Sequence, residues 1–343
     1  MEKIKVALIG YGYWGPNLAR NIVLNPNFEL VAVVDQDERR RSLANSVYGV
    51  DTHATYTDID DSLGVELVVI CTRPSSHKVL AEHFIRKHVN VLITKPCGTS
   101  SLEASEIANL AAEFGVQVFC DFTYHFSPLI NFLQANQTAK QIVDGMREYG
   151  SYRTALGIVQ ADVDVLADLA VHDIYILLLL KGRLPLSVQC LQTNSSSDTR
   201  LHAAFNALTW DDGFKATIHV SWNSPKKVRL ISITSQDHGI LLEEMNREAP
   251  IQLVHFAPTD ADYAQLTAEE RYTRNVSFTM GNLEVPNIDM YEALSREIES
   301  IATALRSESS SPSLPTARDA SAVWKVVEAL RESNLKTGEV QYV

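Results

Sequence analysis

The sequence predicts an α/β domain on a parallel sheet, followed by an α+β domain on an open, mainly antiparallel sheet. Three observations carry this prediction. Strand-like and helix-like segments alternate at short spacing over residues 1–125. Near-alternating β-type runs dominate beyond Ser127-Pro128. A glycine-rich turn, G-x-G-x-x-G, joins the first strand to the first helix.

That turn is the most informative stretch. The apolar run Ile4–Ile9 ends in Gly10, Gly12 and Gly15, a helix-like segment Asn17–Leu24 follows, and a second apolar run, Phe28–Val34, delivers Asp35 twenty residues after Gly15. Gly10 permits the tight turn, Gly12 lets a pyrophosphate approach the backbone, and Gly15 lets helix and strand pack closely. The helix N-terminus then offers unpaired N–H groups and a positive dipole end to phosphates. Strand, turn, helix, second strand and acid in register make a Rossmann-type dinucleotide fingerprint.

The remaining elements of the first domain follow in order. Asp37–Tyr48 reads as a helix rich in Arg and Glu, and Val65–Thr72 as a strand buried on both faces. His77–Lys87 is helical, Asn90–Thr94 a strand ending at Lys95-Pro96, and Ser101–Glu113 a helix capped by Ser100 or Ser101. Gln117–Cys120 closes the sheet. In the second domain one amphipathic helix, Leu129–Thr138, precedes strands at Tyr149–Val159, Ser187–Thr193, Ala203–Trp210, Phe214–Trp222 and Val228–Thr234. Asp212-Gly213 marks a hairpin tip, and Ser-rich 307–313 a surface loop. Asp289–Leu305 and Arg318–Ser333 are the last helices. The expected division is 1–125 for the nucleotide domain, 126–312 for the substrate and oligomerisation domain, and 313–343 for a C-terminal helix returning toward the first.

Composition narrows the partners. A chain of 343 residues with net charge −12 is poorly suited to broad contact with nucleic acid or anionic membrane, so neither is expected. The N-terminus runs directly into the first strand without a signal peptide, and the apolar stretch Ile174–Leu180 is too short to span a bilayer. Cys71, Cys97, Cys120 and Cys190 lack zinc or redox spacing, so no metal is expected and a cytoplasmic location is.

Ligands of open α/β sheets bind beyond the carboxyl ends of the strands. That rule gathers Gly10–Gly15 with the intervening Tyr13 and Trp14, Asp35, Thr72-Arg73-Pro74 and Lys95. Asp35 either accepts the ribose hydroxyls of NAD and repels the 2′-phosphate of NADP, or caps the next helix; Arg39, Arg40 and Arg41 nearby leave NADP some affinity. Lys95 is either solvated or the partner of a substrate hydroxyl, stabilising alkoxide character. Asp168 and His172 are four apart, on one helical face at the start of an apolar helix. His172 is either a hydrogen-bonded helix-start residue or a base of near-neutral pKa suited to proton transfer, with Asp168 orienting it or holding a neighbouring hydroxyl.

Taken together, the fingerprint, Thr72-Arg73-Pro74-Ser75-Ser76-His77, Lys95-Pro96 and Asp168-x-x-x-His172 resemble the Gfo/Idh/MocA oxidoreductases. The resemblance implies an NAD-dependent enzyme, with NADP less favoured, that oxidises a secondary alcohol of a sugar, cyclitol or nucleotide sugar or reduces the ketone. It assigns Lys95, Asp168 and His172 to catalysis, His77 to the cofactor with the strand-end residues above, and Tyr124 to the substrate. Two departures stand out: Thr94 replaces the usual Glu before Lys-Pro, and Phe122 stands where relatives carry His or Asn. Two other classes remain open, a non-catalytic dinucleotide sensor or co-repressor and an NAD-dependent glycosidase. Arg73, Arg153 and Lys226 are candidate cations for a substrate pyrophosphate. Ala216, Ile218 and Val220 alternate with Lys215, Thr217 and His219, so one face of the open sheet is expected to join a second copy in a homodimer or homotetramer.

Overall fold

Two sheets organise the chain. The computed structural model describes residues 2–155, 162–194, 201–236, 238–256, 267–269, 280–306 and 314–343. The serine-rich 307–313 and the end of the strand expected at Tyr149–Val159 lie outside the described residues.

The first sheet has six strands, β1 (Ile4–Ile9), β2 (Phe28–Val34), β3 (Asp51–His53), β4 (Leu67–Ile70), β5 (Asn90–Thr94) and β6 (Val118–Asp121), in the order 3-2-1-4-5-6. Every pair is parallel. β4 is buried at every position, as a strand covered on both faces must be. Helices α1 (Gly15–Leu24), α2 (Glu38–Tyr48), α3 (Pro74–Ile85) and α4 (Ser101–Phe114) make the crossovers. The strand order reverses between β1 and β4, and the crevice above their carboxyl ends is where such sheets take ligands.

The glycines of the first turn are packing requirements. Gly10 has φ +96°, and a Cβ there would sit 2.4 Å from the Cys71 carbonyl oxygen at the end of β4. A Cβ at Gly15 would come within 2.5 Å of the Gly10 carbonyl oxygen. Both clashes are with backbone, which cannot move aside without opening the sheet.

Among the described residues the second sheet has nine strands. They are β7 (Glu148–Thr154), β8 (Ser187–Asn194), β9 (Leu201–Thr209), β10 (Lys215–Ser221), β11 (Arg229–Thr234), β12 (His238–Glu243), β13 (Ile251–Phe256), β14 (Met280–Glu284) and β15 (Gln341–Tyr342), ordered 14-13-12-11-7-10-9-8-15. Neighbours are antiparallel except β7 and β10, which run parallel. This pair forms because helix α7 (Val171–Lys181) carries the chain from β7 to the far edge, and the meander β8–β9–β10 returns to β7's side. The hairpin at Asp212-Gly213 is present, with Gly213 at φ +83°.

Three sequence expectations are corrected. The helix expected over Leu129–Thr138 is two, α5 (Pro128–Ala135) and α6 (Gln137–Asp144), because Asn136 is extended and its side chain accepts from the Ala139 N–H. Strands β12–β15 extend the sheet beyond Val228–Thr234; β14 and β15 are short edge strands whose main evidence is pairing, which composition does not encode. The return to the first sheet begins before residue 313. Helix α8 (Ala293–Arg306) packs on α1, with Arg20 bonded to Glu292 and Asn25 to Glu299. Helix α9 (Ala317–Leu335) then bridges both sheets, since Ser321 meets Ser105 of α4, Trp324 donates to the Cys97 carbonyl, and Ser333 accepts from Cys190 of β8.

Helices α6, α7 and α9 cover one face of the second sheet and form a continuous apolar core with one face of the first. Among the described residues no helix is long and apolar enough to cross a membrane.

Candidate active site

At the nucleotide end, Asp35 finishes β2 and its carboxylate is held by backbone donors: Tyr11 N–H gives 2.7 Å to Oδ2 and Asp37 N–H 2.9 Å to Oδ1. The helix cap is Asp37, which accepts from Arg39 N–H, so Asp35 is left on the crevice. Arg40 lies 3.6 Å from Asp35 and, at the same separation, from where a Gly12 Cβ would be. No other atom crowds Gly12, so backbone there is open to a phosphate. Helix α1 has no side-chain cap and no acid in its first turn, leaving its N–H groups and dipole available to an anion. These features fit a dinucleotide. Gly10, Gly12 and Gly15 leave room for its phosphates, and the Asp35 carboxylate lies on the same crevice.

The other cofactor candidates divide. Tyr13 is 85% exposed beside the cradle. Trp14 is half-buried, with its indole N–H engaged by Asp121 Oδ2 at 2.9 Å; it ties the glycine turn to the end of β6. Behind it, burial and then the charge of Asp121 push the Glu297 carboxyl well up. Thr72 bonds Ser76 through its hydroxyl, and Pro74 opens α3. Arg73 points outward, 76% exposed and 3.3 Å from Asp162. His77 is corrected from a cofactor contact to a structural clamp. It is fully buried, its ring nitrogens each 3.0 Å from the carbonyls of Pro96 and Thr72, and burial lowers its pKa to about 4.

The three catalytic candidates come together where the sheets meet. Lys95 follows β5 of the first sheet; its Nζ donates to the main-chain oxygen of Asp168 at 2.8 Å and to Oδ1 at 2.9 Å. Asp168 belongs to a π-turn, Leu166–Ala170, that precedes α7, and its Oδ2 accepts from the Trp222 indole at 2.9 Å. Asp168 therefore holds Lys95 and does not orient His172. The wider π-turn breaks the regular helical face that the spacing implied. His172, in the first turn of α7, has its Nδ1 shielded without a partner, which leaves Nε2 as the nitrogen a ligand can reach. Burial, followed by the charges of Lys95, Arg153 and Arg229, holds its pKa well below the ordinary value. The imidazole is thus kept neutral.

Tyr124 touches His172 edge to face, ring centres 5.2 Å apart. Its hydroxyl accepts from Arg153 at 2.6 Å and Arg229 at 2.7 Å and donates to Glu244 at 2.7 Å. Arg153 is no surface cation: it is 3% exposed and forked onto the fully buried Asp173 at 2.7 and 3.1 Å. Lys226 is exposed. The two departures also find places. Thr94 donates to the Ile70 carbonyl inside the sheet, and Phe122 stacks on Tyr175 at 4.1 Å. Sequence reasoning missed Trp222, Asp173, Arg229 and Glu244. Arg153 did carry a signal, since it shares the inward register of β7 with Tyr149 and Ser151.

Comparison with known proteins follows this geometry. Residues 4–122 match the model of an oxidoreductase family with an NAD-binding Rossmann fold, Gfo/Idh/MocA. A UDP-N-acetylglucosamine 3-dehydrogenase of Acidithiobacillus ferrooxidans is 25% identical over 248 residues, 72% of this chain and 76% of that protein. An inositol 2-dehydrogenase of Rubrobacter xylanophilus is 30% identical over 115 residues, 33% of each chain. Among solved structures, the same A. ferrooxidans dehydrogenase superposes with TM-score 0.79 at 21% identity, covering 97% of this chain and 98% of that one. A protein of gentamicin A biosynthesis in complex with NAD superposes with TM-score 0.78 at 20% identity, covering 100% and 97%. These superpositions establish a shared fold.

Arg153→Met should leave the Asp173 charge buried without a partner and cost roughly 3–5 kcal/mol of unfolding free energy in denaturant titrations. Arg153→Met with Asp173→Leu should recover most of it. A single variant as stable as the parent would show that the pair is not a structural constraint.

Proposed function

We propose that this chain is a member of the Gfo/Idh/MocA oxidoreductases, whose NAD-binding family model its residues 4–122 match, and that it transfers hydride between a nicotinamide cofactor and a secondary alcohol or ketone of a sugar, cyclitol or nucleotide sugar. The observation that carries this reading is the Lys95–Asp168 contact beside His172. An ammonium at the end of β5 and an imidazole in the first turn of α7 are thereby near enough for the charge of Lys95 to act on His172.

Bound NAD supplies the acceptor for the hydride. The chain's own residues handle the oxygen and its proton. Lys95 has three N–H donors, two of them engaged by Asp168, so the third is left for the substrate oxygen. There it stabilises the negative charge that develops as the hydroxyl loses its proton. His172, neutral, receives that proton on Nε2 and returns it in ketone reduction. Asp168 and Trp222 fix the ammonium, so positioning is in place before the substrate arrives.

Lys95→Ala and His172→Ala should each lower kcat by about a hundredfold or more while NAD binding, read by calorimetry, is retained. Because the His172 pKa is lowered from 6.5, the base form persists as pH falls through 6.5, and kcat/KM for oxidation should stay level there. Full turnover in either variant, or an acid limb at or above that pH, would remove the assignment.

We infer NAD rather than NADP as the cofactor. A 2′-phosphate would meet the Asp35 carboxylate, already aimed by two backbone donors, with Arg40 only partly offsetting the repulsion. Asp35→Ser should shift the ratio of kcat/KM for NAD over NADP toward NADP by about tenfold or more. An unchanged ratio would sink the inference.

The outer face of the second sheet supports self-association. Leu191 and Phe205 are 61% and 51% exposed, and Phe205, His219 and Tyr152 stack in a row across three strands. A second copy of the chain covers such a face best, as a homodimer or homotetramer. Sedimentation at micromolar concentration should give one of these, and Phe205→Glu should dissociate it; a monomeric parent protein would refute the arrangement.

A further inference from the structure

Beside the reacting pair lies a small, partly open pocket lined by Tyr124, Arg229 and Glu244 together with Ile130, Ile231 and Leu242. Tyr124 is shared, since its ring also contacts His172. A substrate presenting a hydroxyl to His172 therefore has a second pocket next to it, across one aromatic side chain.

The two arginines at this wall are engaged differently. Arg153 uses Nε and Nη2 on Asp173 and Nη1 on Tyr124, so each of its nitrogens has a partner. Arg229 uses only Nη1, which donates to the Tyr124 hydroxyl and to Glu244 Oε1 at 2.9 Å and Oε2 at 3.1 Å. Among the described residues its Nε and Nη2 have no hydrogen-bond partner. They form the edge of the guanidinium that matches two oxygens of an oxyanion. Charge points the same way. Asp173 balances Arg153 and Glu244 balances Arg229, but Lys227, two residues earlier, has no carboxylate partner among the described residues. The charge of Arg229 and then burial lower the Lys227 pKa, the mark of a local positive surplus. Apolar side chains opposite weaken water's competition for whatever binds there.

We propose that the free Nε–Nη2 edge of Arg229 is a subsite for an oxyanion carried by the substrate, a carboxylate or a phosphate group, bound while the reacting hydroxyl lies at Lys95 and His172. This rests on the hydride-transfer reading for the placement of the hydroxyl and on the cleft alone for the anion. The enzyme then favours acidic sugars or nucleotide sugars over their neutral counterparts. Glu244 sets the strength of the subsite, because its carboxylate occupies the other edge of the same guanidinium.

The test is calorimetric binding to the NADH-loaded protein, with glucuronate and glucose as one pair of probes and UDP-glucose and uridine as the other. Arg229→Gln should weaken the anionic member of a pair about tenfold more than the neutral one, from the lost charge-assisted hydrogen bonds. Glu244→Gln should tighten the same probe, a sign that mere loosening of the Tyr124 network would not produce. Arg229→Lys, which keeps the charge without the fork, should fall between. Selective loss on glucuronate identifies a carboxylate; loss on UDP-glucose alone identifies the phosphates. Equal weakening of both members of each pair, or no preference of the parent protein for either anion, overturns the proposal. Because binding is read without turnover, failure of the hydride-transfer assignment would show separately, as full kcat in Lys95→Ala.

Discussion

The bond between Lys95 and Asp168 is the joint between the two halves of the molecule. It reaches from the carboxyl end of β5 to the π-turn ahead of α7, and both main chain and side chain of Asp168 take part. A half-buried ion pair loses hydration on both partners, and it stabilises only when the remaining polar atoms are matched. Here Trp222 donates to the second carboxylate oxygen, and the Asp168 N–H is held by the Asp164 carbonyl. Asp164 is itself fixed by Arg331 of α9 at 2.8 Å. The last helix thus braces the turn that places the ammonium, which links packing at the C-terminus to chemistry in the cleft.

Electrostatics around His172 follow from what surrounds it. Burial disfavours imidazolium most, and the charges of Lys95, Arg153 and Arg229 add to it. Each cation is balanced on its far side, Lys95 by Asp168, Arg153 by Asp173 and Arg229 by Glu244. The acids stabilise the arginines and lysine without touching the histidine. An imidazole of depressed pKa is thereby held next to positive charges that themselves remain paired.

Local signals were legible and distant ones were not. The glycine turn, Asp35 and the alternation of β1, β2, β4 and β5 with helices stand in consecutive residues, where steric and periodic rules operate. The division of one expected helix into two at Asn136 comes from a cap that competes for a single N–H, a difference too small for periodicity to register. The family resemblance assigns His77 to the cofactor. Its true partners, two backbone carbonyls on separate loops, exist only once β4 and β5 are side by side. Asp168 was read against His172 four residues away, yet its partners are residues 95 and 222.

What the amino-acid order settled by itself is the backbone of the first sheet: which segments there must be strand or helix, where only glycine fits, and which strand ends carry polar residues. Those depend on neighbours in the chain, through sterics and hydrophobic period. The pairing of Lys95 with Asp168, the edge-to-face contact of Tyr124 with His172 and the open edge of Arg229 were decided only by the assembled fold. Each depends on which groups remain after every other donor and acceptor has found a partner, and that count is closed only when both sheets and α9 are in place.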